Sequence, residues 1–151
     1  MLNWRFLSPE QVEPTFEHAK GYLPDNLRNV QVFAALYLQK DSLFFEVGDF
    51  QGAFWLTRIV PGWKADVHVV LWDPEVRKQY STALSFMKEL AKKLKLRRIN
   101  AYIPAHLEGA LKYAVRVGFQ QEGVIHYGDY YDGTLRDVYM YGLFGGDLNG
   151  I

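Results

Sequence analysis

Ala65-Asp66-Val67-His68-Val69-Val70-Leu71-Trp72 is the stretch whose reading decides the fold. Its alternation is that of a strand: Val67, Val69 and Leu71 point one way, and Asp66, His68, Val70 and Trp72 the other. Beyond a short connection, Tyr80, Ala83, Leu84, Met87, Leu90, Ala91 and Leu94 recur at three- and four-residue spacing. That spacing makes one continuous apolar stripe on a helix, and Lys88, Lys92, Lys93 and Lys95 gather toward its C-terminus, where cations complement the helix dipole. Residues 98–103 then read as a strand closed by Pro104. Strand, helix, strand predicts two adjacent parallel strands joined by a right-handed crossover, with Leu84, Met87, Ala91 and Leu94 buried beneath it.

Working outward, residues 43–47 and 53–60 are rich in aromatic and β-branched side chains and are punctuated by Gly48-Asp49 and Pro61-Gly62. With residues 65–72 they predict a three-stranded antiparallel meander. Upstream, Ser8-Pro9-Glu10-Gln11 reads as a helix start: Ser8 as N-cap, Pro9 at the first helical position, Gln11 closing a capping box. That helix is expected to end near Gly21. A second helix is expected over 27–39, after Asp25-Asn26 as caps, although its apolar density fits a strand as well. Downstream, Leu107, Ala110, Leu111 and Ala114 share one face of a shorter helix with Gly118 as its C-cap. Two strands, 119–127 and 136–144, are joined through Tyr131-Asp132-Gly133, and the tail 145–150 is expected to be loose.

Composition bounds the function. A chain of 151 residues, 49% apolar, suits one domain with a real core. Lys+Arg and Asp+Glu both total 17, which argues against a dedicated nucleic-acid or membrane-surface binder. The absence of cysteine excludes disulfides, thiolate nucleophiles and thiolate metal sites. Met1-Leu2-Asn3-Trp4-Arg5 lacks the organisation of a signal peptide and no apolar run approaches membrane-spanning length, so a cytoplasmic protein is the expectation. His18, His68, His106 and His126 are scattered without metal-ligand spacing, no nucleophile elbow or Walker loop occurs, and no metal is expected. One local bias remains: residues 77–98 hold eight basic residues and a single acid, Glu89. That is either a solvated helix face or the footprint of an anionic partner, the phosphates of coenzyme A or a nucleic acid. The lack of interleaved aromatic side chains weakens the nucleic-acid version.

Asp73-Pro74-Glu75-Val76-Arg77, Tyr80-Ser81-Thr82-Ala83-Leu84 and Leu96-Arg97-Arg98-Ile99 follow one another in an order that matters. With Val117-Gly118-Phe119-Gln120-Gln121-Glu122-Gly123, Tyr131-Asp132-Gly133 and Asp137, the series resembles the GNAT superfamily of acyl-CoA-dependent N-acetyltransferases over about residues 43–143. The resemblance implies an α/β (α+β) fold: a mixed, mostly antiparallel sheet with a central parallel β-α-β unit and helices on both faces. It also implies a mode of binding acetyl-CoA. Backbone around Val70 and Leu71 would hold the pantetheine, and Arg77, Lys78, Gln79, Tyr80, Ser81 and Thr82 would meet the pyrophosphate. Free amides and the positive end of a helix dipole are what phosphate requires there.

Two departures stand out. Tyr80 and Thr82 occupy places where the family has glycine or alanine, and the segment is about two residues short of the pattern. Phosphate contacts would then fall to the side chains of Arg77, Lys78, Ser81 and Thr82. The tyrosine that many family members place four residues before the Gly-Phe pair, to protonate the departing thiolate, is Ala114 here, with Tyr113 beside it. Tyr113 is the candidate acid, or else a rim tyrosine packing its ring. His106-Leu107 stand where a polar residue often opens that helix. Asp66 and His68 share a strand face and are candidates to take the proton of an acceptor amine, with Glu46 a further one; a hydrogen-bonded structural histidine is the bland alternative. Two readings follow: an N-acetyltransferase using acetyl-CoA and an amine acceptor, or a GNAT-shaped protein that has lost catalysis. The latter would serve as a binding or assembly component, for example virion-associated in a phage particle, pairing with other proteins or its own copies through Trp55, Trp63, Tyr130 and Tyr131. A third is an RNA-associated module using the basic helix.

Overall fold

Seven strands form one mixed sheet in a computed structural model that describes residues 4–149. The chain runs β1 (Trp4–Phe6), α1 (Val12–Ala19), α2 (Val30–Tyr37), β2 (Leu43–Val47), β3 (Gly52–Val60) and β4 (Lys64–Leu71). It continues with α3 (Tyr80–Leu94), β5 (Arg98–Pro104), α4 (Glu108–Val117), β6 (Gln120–Tyr131), β7 (Thr134–Phe144) and α5 (Gly146–Asn149). The strand order is β1-β2-β3-β4-β5-β7-β6, antiparallel throughout except for β4 and β5. The meander, the β4-α3-β5 unit and its adjacent parallel strands are all as the sequence predicts.

Two cores lie on the two faces of the sheet, as the alternation of β4 requires. Ala65 and Val67 face a cluster with Phe54, Leu56, Ala83, Met87, Ala91, Ile99, Ala114, Val117 and Leu143, beneath α3 and α4. Val70 faces the other way, into a cluster of Phe16, Phe33, Phe44 and Trp55 beneath α1 and α2, with Trp72 packed against it. Near α1, the Ser8 amide donates to Gln11 Oε1 at 2.9 Å, the return half of the expected capping box.

The differences are instructive. Leu84 and Leu94 are only half-buried, while Ala83, Met87, Leu90 and Ala91 carry the stripe, because the helix presents its face centred one position away. Ala110 is exposed on α4; Ala114 and Val117 turn inward instead. The second helix starts later than Asp25-Asn26, which lie in a 3-10 turn; Asn29 is its cap, its side chain accepting from the amides of Gln31 and Val32. Three residues of extended chain at Trp4–Phe6, too short to show a period, pair with β2 as an edge strand. The tail is not loose over 146–149: it forms α5, with Leu148 buried against the core under α3, whereas Gly150 lies outside the described residues. Trp55 and Tyr131 are buried, not surface aromatics; Trp63 and Tyr130 are exposed. Among the described residues no helix is long and apolar enough to cross a membrane.

Candidate functional site

The parallel pairing of β4 with β5 is short. It runs Lys64↔Arg98, Ala65↔Ile99, Asp66↔Asn100 and stops, although both strands continue to Leu71 and Pro104. From Val67 onward the β5-facing edge of β4 has no strand partner among the described residues, and a wedge opens between the two strands toward their C-terminal ends. At the vertex sits a buried polar chain. Asn100 Nδ2 donates to Asp66 Oδ1 at 3.1 Å, and Asn100 Oδ1 accepts from Arg98 Nε at 2.6 Å. Arg98 in turn pairs with Glu122 on β6, and Arg58 Nε lies 3.3 Å from Asp66 Oδ2. Asp66 and Asn100 are both buried, so each would be costly without the other.

The wedge leads to the start of α3. A 3-10 turn, Pro74–Val76, bridges β4 to the helix; Asp73 caps it, its Oδ1 accepting the Glu75 amide at 3.0 Å while Oδ2 accepts from Gln51 at 3.0 Å. Those two hydrogen bonds, with the Arg77 charge assisting, hold the Asp73 carboxyl below the usual carboxylate range. The first hydrogen bond of α3 runs from the Ala83 amide to the Gln79 carbonyl at 3.1 Å. The amides of Tyr80, Ser81 and Thr82 therefore have no acceptor among the described residues, as at any helix start without a side-chain cap. Three free N–H groups at the positive end of a 15-residue helix suit a phosphate group.

Tyr80 does not lie across that helix start. Its ring turns toward α4, 5.6 Å from the ring of Tyr113, and its hydroxyl accepts from Arg116 Nη1 at 3.0 Å. The missing glycine thus costs less room than the sequence suggests. Arg77 is exposed and folds back: its Nε donates to the Leu71 carbonyl at 2.9 Å and its Nη2 to the Trp72 carbonyl at 3.5 Å. It stands at the mouth of the wedge beside Val70 and Leu71, with exposed Lys78 next to it. Exposed Arg77 and Lys78, half-buried Leu71 and the three free amides of α3 thus follow one another along the mouth of the wedge, donors of the kind a phosphate accepts from.

Tyr113, half-buried on α4, reaches the α3 start through Tyr80. Burial, then the neighbouring Tyr80 phenol, pushes the Tyr113 hydroxyl up to about 12. His68 lies on the opposite face of the sheet. Its ring stacks on Trp55 at 5.5 Å and its Nε2 is 3.2 Å from Thr57 Oγ1. Burial pushes its imidazole down to about 4, the Asp66 carboxylate opposing, so the ring is neutral near pH 7. Asp66 shares that face but is held by Arg58 and Asn100. Glu46 lies two strands across from Val70, through Ala53, accepting from Gln11 Nε2 at 3.1 Å and pairing with Arg5.

The sequence offered no signal for what borders the other side. Helices α1 and α2 cover β2 to β4, and the same face of β5, β7 and β6 is open, with a cleft of about 210 Å³ lined by Arg98, Asn100, Tyr102, Glu122 and Met140. At the other end of this face, by the β6–β7 hairpin, lies a clamp. Asp25 Oδ1 and Oδ2 accept from the amides of Asp132 and Gly133, both at 2.8 Å, and Arg28 pairs with Asp132. The α1–α2 connection is thereby tied to the tip of the β6–β7 hairpin, a two-residue turn with positive φ at both Asp132 and Gly133. Only the Asp132-Gly133 turn signal was legible; its partner more than 100 residues away was not.

No family model matches the chain, and no curated protein matches its sequence. Solved structures do. One point mutant of spermidine N-acetyltransferase SpeG from Vibrio cholerae superposes with a TM-score of 0.79 at 17% identity, over 98% of this chain and 96% of that one. A second point mutant of the same enzyme gives 0.78 at 16%, over 97% and 95%. The enzyme in complex with CoA and spermine gives 0.73 at 17%, over 97% of both chains. Likeness over the full length at such low identity speaks for architecture: this chain has the GNAT fold of those N-acetyltransferases.

Proposed function

We propose that this protein is an acyl-CoA-dependent N-acetyltransferase that passes an acetyl group directly to an amine. The observation that carries the proposal is the wedge: β4 leaves β5 after Asp66, and the opening runs onto the three free amides of α3. Acetyl-CoA bound there would supply the activated acetyl group. The free β4 edge around Val70 and Leu71 would align the pantetheine, while Tyr80, Ser81 and Thr82 amides, with Arg77 and Lys78, would hold the pyrophosphate. Arg77 must release the Leu71 and Trp72 carbonyls to do so, at the cost of two exposed hydrogen bonds.

Tyr113 would protonate the departing thiolate. A phenol held near 12 stays protonated at neutral pH, and its ring contact with Tyr80 at the α3 start supports that role. His68 is available as the neutral imidazole on the acceptor's side, where it would take a proton through water. Asp66, in this reading, fixes the point at which β4 and β5 part. The structural relatives act on spermidine or hold spermine by name; for this chain the acceptor is taken as an amine reaching the wedge from the open face of the sheet.

Calorimetric titration of the purified protein with acetyl-CoA and with coenzyme A tests the proposal. Saturable binding at micromolar concentration is expected, weakened in Arg77→Ala by about 1.5–3 kcal/mol for a charge-assisted phosphate contact. Absence of binding up to millimolar concentration would sink it.

A further inference from the structure

Arg136 on β7 has no counterpart in direct contact, although the nearby Asp132 carboxylate feels its charge. Its side chain makes no hydrogen bond or ion pair with any described residue, and its Nε is buried without a partner. A guanidinium cannot shed its charge, so a donor withdrawn from water and left unpaired is costly. None of the nearby carboxylates reaches Arg136 directly. Asp132 is paired with Arg28, and both oxygens of Asp25 accept hairpin amides. Asp129, directly across the ladder, accepts the Tyr130 amide on Oδ1 at 2.9 Å and forms no ion pair with Arg136.

Two further groups lie beside it. The pairs Tyr131↔Thr134 and Asp129↔Arg136 put Tyr131 and Arg136 on one face as diagonal neighbours. The Tyr131 ring is buried, yet its hydroxyl bonds to no described residue. His106, from the β5–α4 connection, sets its ring edge-on to Tyr131 at 5.2 Å; burial, and after it the charge of Arg136, lowers its pKa.

Position decides what such a group is for. Asp66 pairs with Asn100, so Leu71 on β4 is level with Ala105, whose amide donates to the Asp137 carbonyl at 2.9 Å. Arg136 therefore stands at the C-terminal ends of the two parallel strands, where the wedge is widest. It lies on the open face beneath the clamp formed by Asp25, Arg28 and Asp132. A planar fork with free donors, a phenol and an imidazole are the complement of a carboxylate.

We infer that Arg136, Tyr131 and His106 form a carboxylate subsite, and that the acceptor is an amine bearing a carboxylate, an amino acid rather than a polyamine. The second half rests on the N-acetyltransferase reading; the first half does not. The test is therefore done without acetyl-CoA. Wild-type protein with ¹⁵N-labelled arginine is titrated with a set of common L-amino acids, each against its C-terminal amide, with spermidine as the cation-only control. At least one amino acid should bind saturably and move the Arg136 Nε resonance, with its amide at least ten-fold weaker. Arg136→Gln should lower that affinity roughly 10- to 100-fold, the range for one charge-assisted contact, with an unchanged circular dichroism spectrum. The inference is overturned if no amino acid moves the resonance, if acid and amide bind alike, or if spermidine binds in preference. Should the Gln variant fail to fold, the acid–amide comparison on the wild type still decides. Acetyl-CoA binding with no preference for the carboxylate would remove this subsite alone. A carboxylate site in a chain that ignores acetyl-CoA would remove the acetyltransferase alone.

Discussion

Replacing Asn100 with alanine tests whether the vertex between β4 and β5 is held by its polar chain. Asn100 donates to Asp66 and accepts from Arg98, and it is buried together with Asp66. Each lost bond involves a charged partner, worth about 1.5–3 kcal/mol, and the Asp66 carboxylate would keep only Arg58. The full sum overstates the loss, because Arg98 and Asn100 line the open cleft and water can replace part of what is removed. A destabilisation of about 2–4 kcal/mol is expected in urea unfolding at pH 7. Arg58→Ala is the internal control. Its side chain is 70% exposed, so the pair it makes with Asp66 is worth no more than about 1 kcal/mol. If Asn100→Ala costs less than Arg58→Ala, the buried chain does not hold the vertex and the reasoning fails. Loss of acetyl-CoA affinity in Asn100→Ala alone would tie the vertex to the wedge.

Met87→Ala should cost about 2–5 kcal/mol in the same assay because the side chain is fully buried, and Leu84→Ala clearly less because Leu84 is half-buried; equal losses would contradict the packing of α3. The His68 imidazole should titrate near pH 4 by NMR. Since its folded pKa lies below the ordinary 6.5, the stability it contributes is whole above pH 6.5 and lost as pH falls through 4; a midpoint near 6.5 would show an open, hydrated ring. Lys95 ends α3 with φ of 56°, so Lys95→Gly should raise stability by roughly 0.5–1 kcal/mol, and a decrease would mean that its side chain matters more than its backbone. Tyr113→Phe should lower turnover and leave acetyl-CoA affinity alone, since a thiolate's acid acts only once the bond is breaking; an equal loss in both would make Tyr113 a binding group.

What the sequence by itself determined is what repeats. The stripe from Tyr80 to Leu94, the alternation through residues 65–72, the paired turn signals around the meander and the Ser8–Gln11 start are periodic or adjacent, so local geometry alone interprets them. They suffice for the order of elements from α1 to β7 and for the parallel crossover, whereas the series from Val70 to Thr82 came from the resemblance to the GNAT superfamily. Only the tertiary structure decided where β4 and β5 part, which way Tyr80 turns, that 146–149 packs as a helix, and that Asp25 and Arg28 clasp the Asp132-Gly133 turn. Each of these depends on one polar or aromatic side chain meeting another far away in the chain. A single residue has no period, and its partner is chosen by the packing of everything between them. Arg136 shows this most plainly: in the sequence it is one of 17 basic residues, and only the fold buries its Nε with no acceptor in reach among the described residues.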